Sequence, residues 1–413
     1  MNNSVIKQLD KIVEDKNIQG VIISTEPMAH VGYAKWALKR GLNILMDKPI
    51  SVRDSLSTSE ESIEGLLKDY NELEILYKEA KVKNPKITFS LTAQRRFHPA
   101  YLKVKDLIKQ VFEETNCPIT SIQSFHSDGQ WRMPGEIVDQ IYHPYCQGYG
   151  KCSHSGYHSI DIVSWLIEAA EGQKQINNVD VYSNFLYPND FLFQLNLNDY
   201  RKLFVDFDVY NKYSSIELKK KYENYGEIDA FLSLTFKHDS KTLTLGSVNM
   251  VHNGFAQRNW PTAEGRDLYK GNGRIRHETY YIEQGPFQSI SLISYQGKEV
   301  DPNNTKGLYE VGGEYHLDIH VFRNDKMFPE WKNYEKFSIQ DLSENALAGK
   351  SRGHQEDARR NCILEFISVI KGEKKNSSSD YLEHKRSTML LYASYKSAFR
   401  KKMNMNPVVN IPF

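Results

Sequence analysis

The sequence is poor in several things whose absence narrows its class. Four cysteines in 413 residues exclude a disulfide framework and fit a reducing compartment. No apolar run approaches the roughly 20 residues of a membrane-spanning helix, so no membrane is expected. Neither sign of charge dominates: Lys+Arg number 53, Asp+Glu 52, and the formal net charge is +1. Both signs are interspersed, which leaves no basic face for nucleic acid and no acidic tail. Internal repeats and long low-complexity tracts are also missing. Met1-Asn2-Asn3-Ser4 leads straight into an amphipathic helix, so no signal peptide is expected. The expectation is a cytoplasmic protein long enough for two domains and a large core.

The most informative stretch is Asn43-Ile44-Leu45-Met46-Asp47-Lys48-Pro49. Four mostly apolar residues read as a strand end, and Pro49 stops it because proline has no N–H for the ladder. Asp47 and Lys48 then fall at the carboxyl edge of a sheet, where open α/β sheets bind ligands. Taken alone, the tripeptide is more often an ordinary surface loop; its surroundings reverse those odds. Val5, Ile6, Leu9, Ile12 and Val13 share a helical face. Val21–Ser24 has the uncharged run of a strand covered on both sides. A helix is expected from about Ala29 to Arg40, closed by Gly41, and then the strand Asn43–Met46. This is the α-β-α-β repeat of a doubly wound parallel sheet. Ser51 to Glu61 reads as a solvated loop, Leu66 to Ala80 as a helix and Ile87–Leu91 as a strand. Pro99 suits the first turn of another helix. A domain boundary is expected near residue 93.

Beyond it, period-two runs predict strands at Ile119–Phe125, Leu203–Val209, Ala230–Phe236, Leu243–Val248, Ile290–Ile293 and Leu317–Val321. Few crossover helices separate them, so a largely antiparallel sheet is expected, with an open face suited to self-association. Helices from about Gln355 to Ile370 and, after the capping cluster Ser377-Ser378-Ser379-Asp380, over 381–402 close the chain. The second stretch with chemistry in it is Cys152 to Leu166. On a helix beginning near His154, the side chains of His154, His158, Asp161 and Trp165 would share a face. Two imidazoles and a carboxylate there could move protons near neutral pH, with Asp161 orienting His158. The plain alternative is a helix whose polar face holds histidines. Zinc is the poorer reading: His143, Cys146, Cys152, His154 and His158 are close in sequence, but the cysteines are too far apart for the usual pair. No metal is expected.

With these stretches in place, the chain resembles the Gfo/Idh/MocA family of NAD(P)-dependent oxidoreductases. Ile22 to His30 is similar to its strand ending in Thr-x-Pro with a following His. Ala37 to Pro49 resembles its helix, glycine, strand and Glu-Lys-Pro. Arg96-Phe97-His98-Pro99 resembles its Arg-Phe-x-Pro, and Gly156-x-His158-x-x-Asp161 most of its Asp-x-Gly-x-His-x-x-Asp. Asp47 replaces the usual Glu, and His154 stands where the first Asp would be. The family's opening G-x-G-x-x-G, which cradles the pyrophosphate, is absent. Gly148-Tyr149-Gly150 and Gly271-Asn272-Gly273 lack the third glycine and the strand–helix setting. The resemblance implies an incomplete Rossmann-type parallel sheet (residues 1–93) and an α+β domain with a large, mostly antiparallel sheet (residues 94–413). It implies NAD or NADP, bound weakly without the glycine-rich turn, and a sugar, polyol or related alcohol as substrate. Lys48 would donate to the reacting oxygen, His158 would take the hydroxyl proton with a pKa near the working pH, and His154 would orient substrate or share the proton. Thr25, Glu26, Pro27, His30 and Asp47 would line the cofactor side, and Arg96 and Asp161 would serve the substrate. The expected assembly is a homo-oligomer through the second-domain sheet. The chain is expected to be N-terminally incomplete; the alternative is a non-catalytic relative or one half of a split enzyme.

Overall fold

The computed structural model describes residues 2–262, 272–297, 306–343 and 353–413. Three parallel strands form the first sheet: β1 (Gly20–Ile23), β2 (Asn43–Met46) and β3 (Phe89–Leu91), in the order β1-β2-β3. Side chains alternate along a strand, and β2 uses both faces. Ile44 and Met46 pack with Ala34, Leu73 and Tyr77 from the helices His30–Lys39 and Glu60–Lys83. Leu45 packs on Cys362 and Phe366 of the helix His354–Lys371. Covering on both faces explains why β2 carries no charge. Asn17 and Gly41, both in the left-handed region, end the first two helices and turn the chain into the next strand. Tyr381, from late in the chain, stacks on Tyr70 and Phe89 in this core.

The second sheet has nine strands in the order β11-β10-β9-β8-β4-β7-β6-β5-β12. Their ranges are β4 (Ser121–Gly129), β5 (Asn178–Leu186), β6 (Asp229–His238), β7 (Lys241–Val251), β8 (Ile275–Gln284), β9 (Gln288–Gln296), β10 (Asp318–Arg323), β11 (Tyr334–Ser338) and β12 (Val409–Pro412). Neighbours are antiparallel except β4 and β7. Its inner face packs against the helices Pro99–Thr115, Tyr157–Glu168 and Lys385–Lys402. The outer face shows Phe231, Leu245, Tyr281 and Phe322 to solvent. Among the described residues, no helix is long and apolar enough to cross a membrane.

The architecture is thus the α/β two-sheet arrangement expected, with some local corrections. Leu203–Val209 is not a strand: it lies at the end of the helix Leu197–Leu203 and the start of Phe207–Tyr210, and Val205 and Val209 face solvent. The box of Asn196 and Asp199, each side chain bonded to the other's backbone N–H, opens the first of these helices and takes Leu203 out of any strand. The helix expected from His154 starts at Tyr157, and His154 lies in the turn before it. Strands β5, β8, β11 and β12 went unread: polar residues interrupt the apolar alternation of the first three, and β12 is only four residues long. Gly148 sits in a left-handed turn without a following helix, and Gly271 lies outside the described residues.

Candidate active site

Where the carboxyl ends of the first sheet meet the second sheet there is a cavity of about 440 Å³. Ile22, Ile23, Ser24, Leu45, Asp47, Lys48 and Thr92 line it from the first sheet. Pro49 follows a cis bond, and Asp47 accepts hydrogen bonds from the Lys48 N–H (2.9 Å) and Thr92 Oγ1 (2.6 Å). Burial disfavours the Asp47 carboxylate, but the Lys48 charge and these hydrogen bonds outweigh it and hold the carboxyl below its ordinary range. Lys48 Nζ donates to the backbone oxygen of His154 at 2.9 Å. Burial, reinforced by Arg95 and Arg359, lowers the pKa of its ammonium despite Asp47.

His154 and His158 both line the same cavity, so the lysine and the two imidazoles expected to act together do meet. Neither ring nitrogen of His154 bonds to protein, nor does Nδ1 of His158. The His154 ring stacks on His143, centroids 4.6 Å apart. One expectation changes here. His158 does not sit near the working pH: burial first, then the Lys48 and Arg95 charges, hold it well below 6.5. His154 is lowered in the same way, by burial, His143 and Lys48. Both rings are neutral at pH 7.

Arg96 and Asp161 are a further correction. Neither lines the cavity. Arg96 instead grips Asp161 with two hydrogen bonds (2.8 and 3.0 Å), and Asp161 also accepts from Ser387 and contacts His384 Nδ1 at 3.0 Å. This buried cluster clamps Tyr157–Glu168 to the segment that opens the last helix. Asp161 therefore orients the helix, not the His158 ring. Of the residues expected beside the cofactor, Thr25 and Glu26 are exposed next to the cavity without lining it, and Pro27 is buried. His30 is buried behind them, Nδ1 2.8 Å from Pro49 O and Nε2 3.1 Å from Thr25 O. It ties the two loops together, and burial lowers its pKa.

The floor of the cavity was not foreseen. On β4 the inward positions run Ile122, Ser124, His126 and Asp128, and the stripe continues as Gln130 and Arg132. On β8 they run Ile282, Tyr280, Glu278 and Arg276, continuing to Arg274. The strands pair His126 with Glu278 and Asp128 with Arg276. One sheet face is thus apolar under the helices and charged under the cavity. Arg95 bonds Glu278 at 2.7 Å, and Arg274 bonds Asp128 at 2.7 Å. Behind the floor, Lys151 is fully buried, 3.3 Å from Asp128 and donating to Ser155 Oγ at 2.9 Å. The polar alternation His126-x-Asp128-x-Gln130-x-Arg132 and Arg274-x-Arg276-x-Glu278 was the available signal, since polar residues at every second position mark one strand face. Of the residues weighed for zinc, His143, His154 and His158 line the cavity, whereas Cys146 is exposed and Cys152 buried and neither cysteine lines it.

Comparison with known proteins agrees with the two-sheet fold. Residues 1–66 match the family model described as oxidoreductase family, NAD-binding Rossmann fold. No curated protein matches the chain. Among solved structures, an oxidoreductase from Agrobacterium radiobacter in complex with NAD+, L-tartaric acid and magnesium is similar over 98% of this chain and 82% of its own, with 12% identity and a TM-score of 0.56. An inositol dehydrogenase homolog from Azotobacter vinelandii, complexed with NADH and myo-inositol, is similar over 98% and 82%, with 13% identity and a TM-score of 0.54. An oxidoreductase domain protein from Kribbella flavida is similar over 97% and 82%, with 12% identity and a TM-score of 0.58.

Proposed function

We propose, from the premise that this chain is a Gfo/Idh/MocA-type protein in its fold and over residues 1–66, that it is an NAD(P)-dependent oxidoreductase acting on a sugar, polyol or related alcohol. The observation that carries the reading is the meeting of Lys48, His154 and His158 in one cavity at the carboxyl ends of β1 and β2. Ile22, Ile23, Ser24 and Leu45 give that end of the cavity the mixed apolar and hydroxyl lining that suits a nicotinamide ring. When bound, the cofactor supplies the hydride acceptor or donor. Lys48 donates a hydrogen bond to the reacting oxygen and stabilises the negative charge that develops there. His158, neutral at working pH, is in the form that accepts the hydroxyl proton as hydride leaves carbon, a weaker base than free imidazole because burial and the Lys48 charge disfavour its cation. His154 orients a neighbouring hydroxyl, and its backbone oxygen holds Lys48 in place.

Residues 1–93, with the helix His354–Lys371 packed on their sheet, make the cofactor side, and the nine-stranded sheet with its helices makes the substrate side. Two known neighbours in fold hold polyhydroxylated ligands, tartaric acid and myo-inositol, which supports this substrate class. The outward apolar residues of the large sheet support a homo-oligomer, and four free cysteines support a cytoplasmic setting. The sequence holds no glycine-rich strand-to-helix turn, so the dinucleotide is gripped weakly. A second reading, a non-catalytic relative or one half of a split enzyme, draws on β1, a sheet edge at which Ile22 is 59% exposed. Fluorescence titration of the full chain with NADH and NADPH separates these readings. Saturable binding weaker than about 1 μM is the expected result. No binding at any concentration would favour the non-catalytic reading, and tighter binding would refute the weak grip.

A further inference from the structure

We propose that Lys151, buried behind the cavity floor, is a positioning residue that fixes the hydrogen-bond polarity of the substrate site, leaving His126 Nε2–H and Ser155 Oγ–H as two donors for neighbouring oxygens of the substrate. The proposal deepens the oxidoreductase reading, and its first test does not depend on that reading. Lys151 is fully buried and does not line the cavity, whereas His126 and Ser155 do. The backbone sets where its amine lies. The Lys151 N–H donates to Glu227 O, and Lys151 O accepts from the Gly156 N–H, each at 2.9 Å. The turn before the helix Tyr157–Glu168 is thereby held at both ends, and the lysine side chain reaches back to β4.

An ammonium has three N–H groups and no lone pair, so it only donates. All three are taken inside the protein: by His126 Nδ1 at 3.0 Å, Ser155 Oγ at 2.9 Å and Asp128 Oδ2 at 3.3 Å. None is left for a substrate, so Lys151 acts through its neighbours. An imidazole nitrogen that accepts carries no hydrogen, and the hydrogen of the neutral His126 ring is therefore on Nε2. That nitrogen lies 3.9 Å from Asp128 Oδ2, beyond hydrogen-bond reach, and is left to donate into the cavity. Ser155 Oγ already accepts from Lys151, and among the described residues nothing takes its own hydrogen. Both side chains thus present donors, where without Lys151 each could serve as donor or acceptor.

The surrounding charges keep this arrangement in force at neutral pH. Burial first, and then the Lys151 charge, lower His126 to about 3, with Asp128 and Glu278 opposing the shift and Arg95 adding to it. The ring is therefore neutral and holds a single hydrogen. Burial also lowers the pKa of the Lys151 ammonium, and Asp128 beside it opposes that shift. Asp128 is itself shared with Arg274 at 2.7 Å. A buried ammonium is costly unless its partners are well placed, and a charged group buried behind a cleft with a defined set of partners is a mark of a functional site. Neighbouring oxygens of a polyhydroxylated substrate accept from the two donors of the floor, while Lys48 and His158 work on the carbinol.

The test is nuclear magnetic resonance of the full chain carrying isotope-labelled histidine, with the His126 signals assigned through His126→Gln. His126 is expected as the Nε2–H tautomer, neutral from about pH 5 to 8. In Lys151→Met its pKa should rise by about 1–3, because a like charge has gone. A ring carrying its hydrogen on Nδ1 overturns the proposal, and so does a pKa that Lys151→Met leaves unmoved. The tautomer is read on the native chain, so it decides even where Lys151→Met fails to fold. On the best substrate in a panel of sugars and polyols, Ser155→Ala is expected to raise KM about 3–10-fold, the size of one hydrogen bond, with kcat little changed. A KM that Ser155→Ala leaves in place also overturns the proposal. No turnover of any alcohol by the native chain, with the tautomer as expected, would retire the oxidoreductase reading and leave the Lys151 arrangement standing. Turnover with the hydrogen on Nδ1 would do the reverse.

Discussion

Replacing Arg96 by leucine separates a structural arginine from a substrate-binding one. Arg96 is 1% exposed and holds Asp161 through two hydrogen bonds, with a third contact to Glu383 at 3.1 Å. In Arg96→Leu the Asp161 carboxylate stays buried with only Ser387 and His384 beside it. Removing one member of a buried pair costs about 3–5 kcal/mol, because the remaining charge has lost its counter-charge. With an unfolding entropy of about 2.1 cal/mol/K per residue, a chain of this length melts about 3–6 °C lower for that loss. Glu383 is half exposed and adds little. Scanning calorimetry reads the shift. The double variant Arg96→Leu, Asp161→Leu should recover part of it, because both charges are then gone. Substrate KM should hold in the protein that stays folded, since neither group reaches the cavity. An Arg96→Leu protein as stable as the parent, with KM raised tenfold or more, would refute this reasoning.

Two further outcomes are expected. His126, lowered to about 3 by burial and Lys151, and His354, lowered to about 4 by burial and Arg276, stay neutral in the fold while the unfolded chain protonates near pH 6.5. Their contribution is fully present above that pH and is lost as pH falls, by about 2 kcal/mol each from pH 7 to 5. Glu227, raised to about 7 by burial, acts in the opposite sense with similar size, so a lower denaturant midpoint at pH 5 is the net expectation; an equal or higher midpoint contradicts it. A Cβ at Gly150 would lie 1.9 Å from the Glu227 backbone oxygen, which cannot swing aside. Gly150→Ala should cost about 2–3 kcal/mol and disturb the turn that carries His154, read as a lower melting point and weaker ligand binding; an unchanged melting point would show that the contact relaxes freely.

The sequence made the first sheet legible because each of its strands is short, uncharged and followed by a recognisable turn residue. Asn43–Met46 matches β2 residue for residue. Lys48 and His158 were legible because reactive side chains stood next to backbone punctuation, Pro49 and Gly156. The pairing of Arg96 with Asp161 was not, since a motif shows which residues occur and not which way they face. Only the approach of Tyr157–Glu168 to the last helix turns Asp161 away from His158. The cavity floor stayed hidden for a different reason. Charges at alternate positions of β4 and β8 broke the apolar pattern by which a strand is recognised, so the residues nearest the chemistry weakened the signal of their own strands. Leu203–Val209 shows the converse, a strand-like period in a stretch that closes one short helix and opens another.

The central claim is that Lys48 acts on the reacting oxygen inside this cavity. Its most direct measurement is the rate of NAD(P)H formation from a panel of sugar acids and polyols at saturating dinucleotide, compared between the native chain and Lys48→Met. Turnover is expected to fall about 10²–10³-fold in Lys48→Met, with dinucleotide affinity little altered. Equal turnover in the two proteins would contradict it.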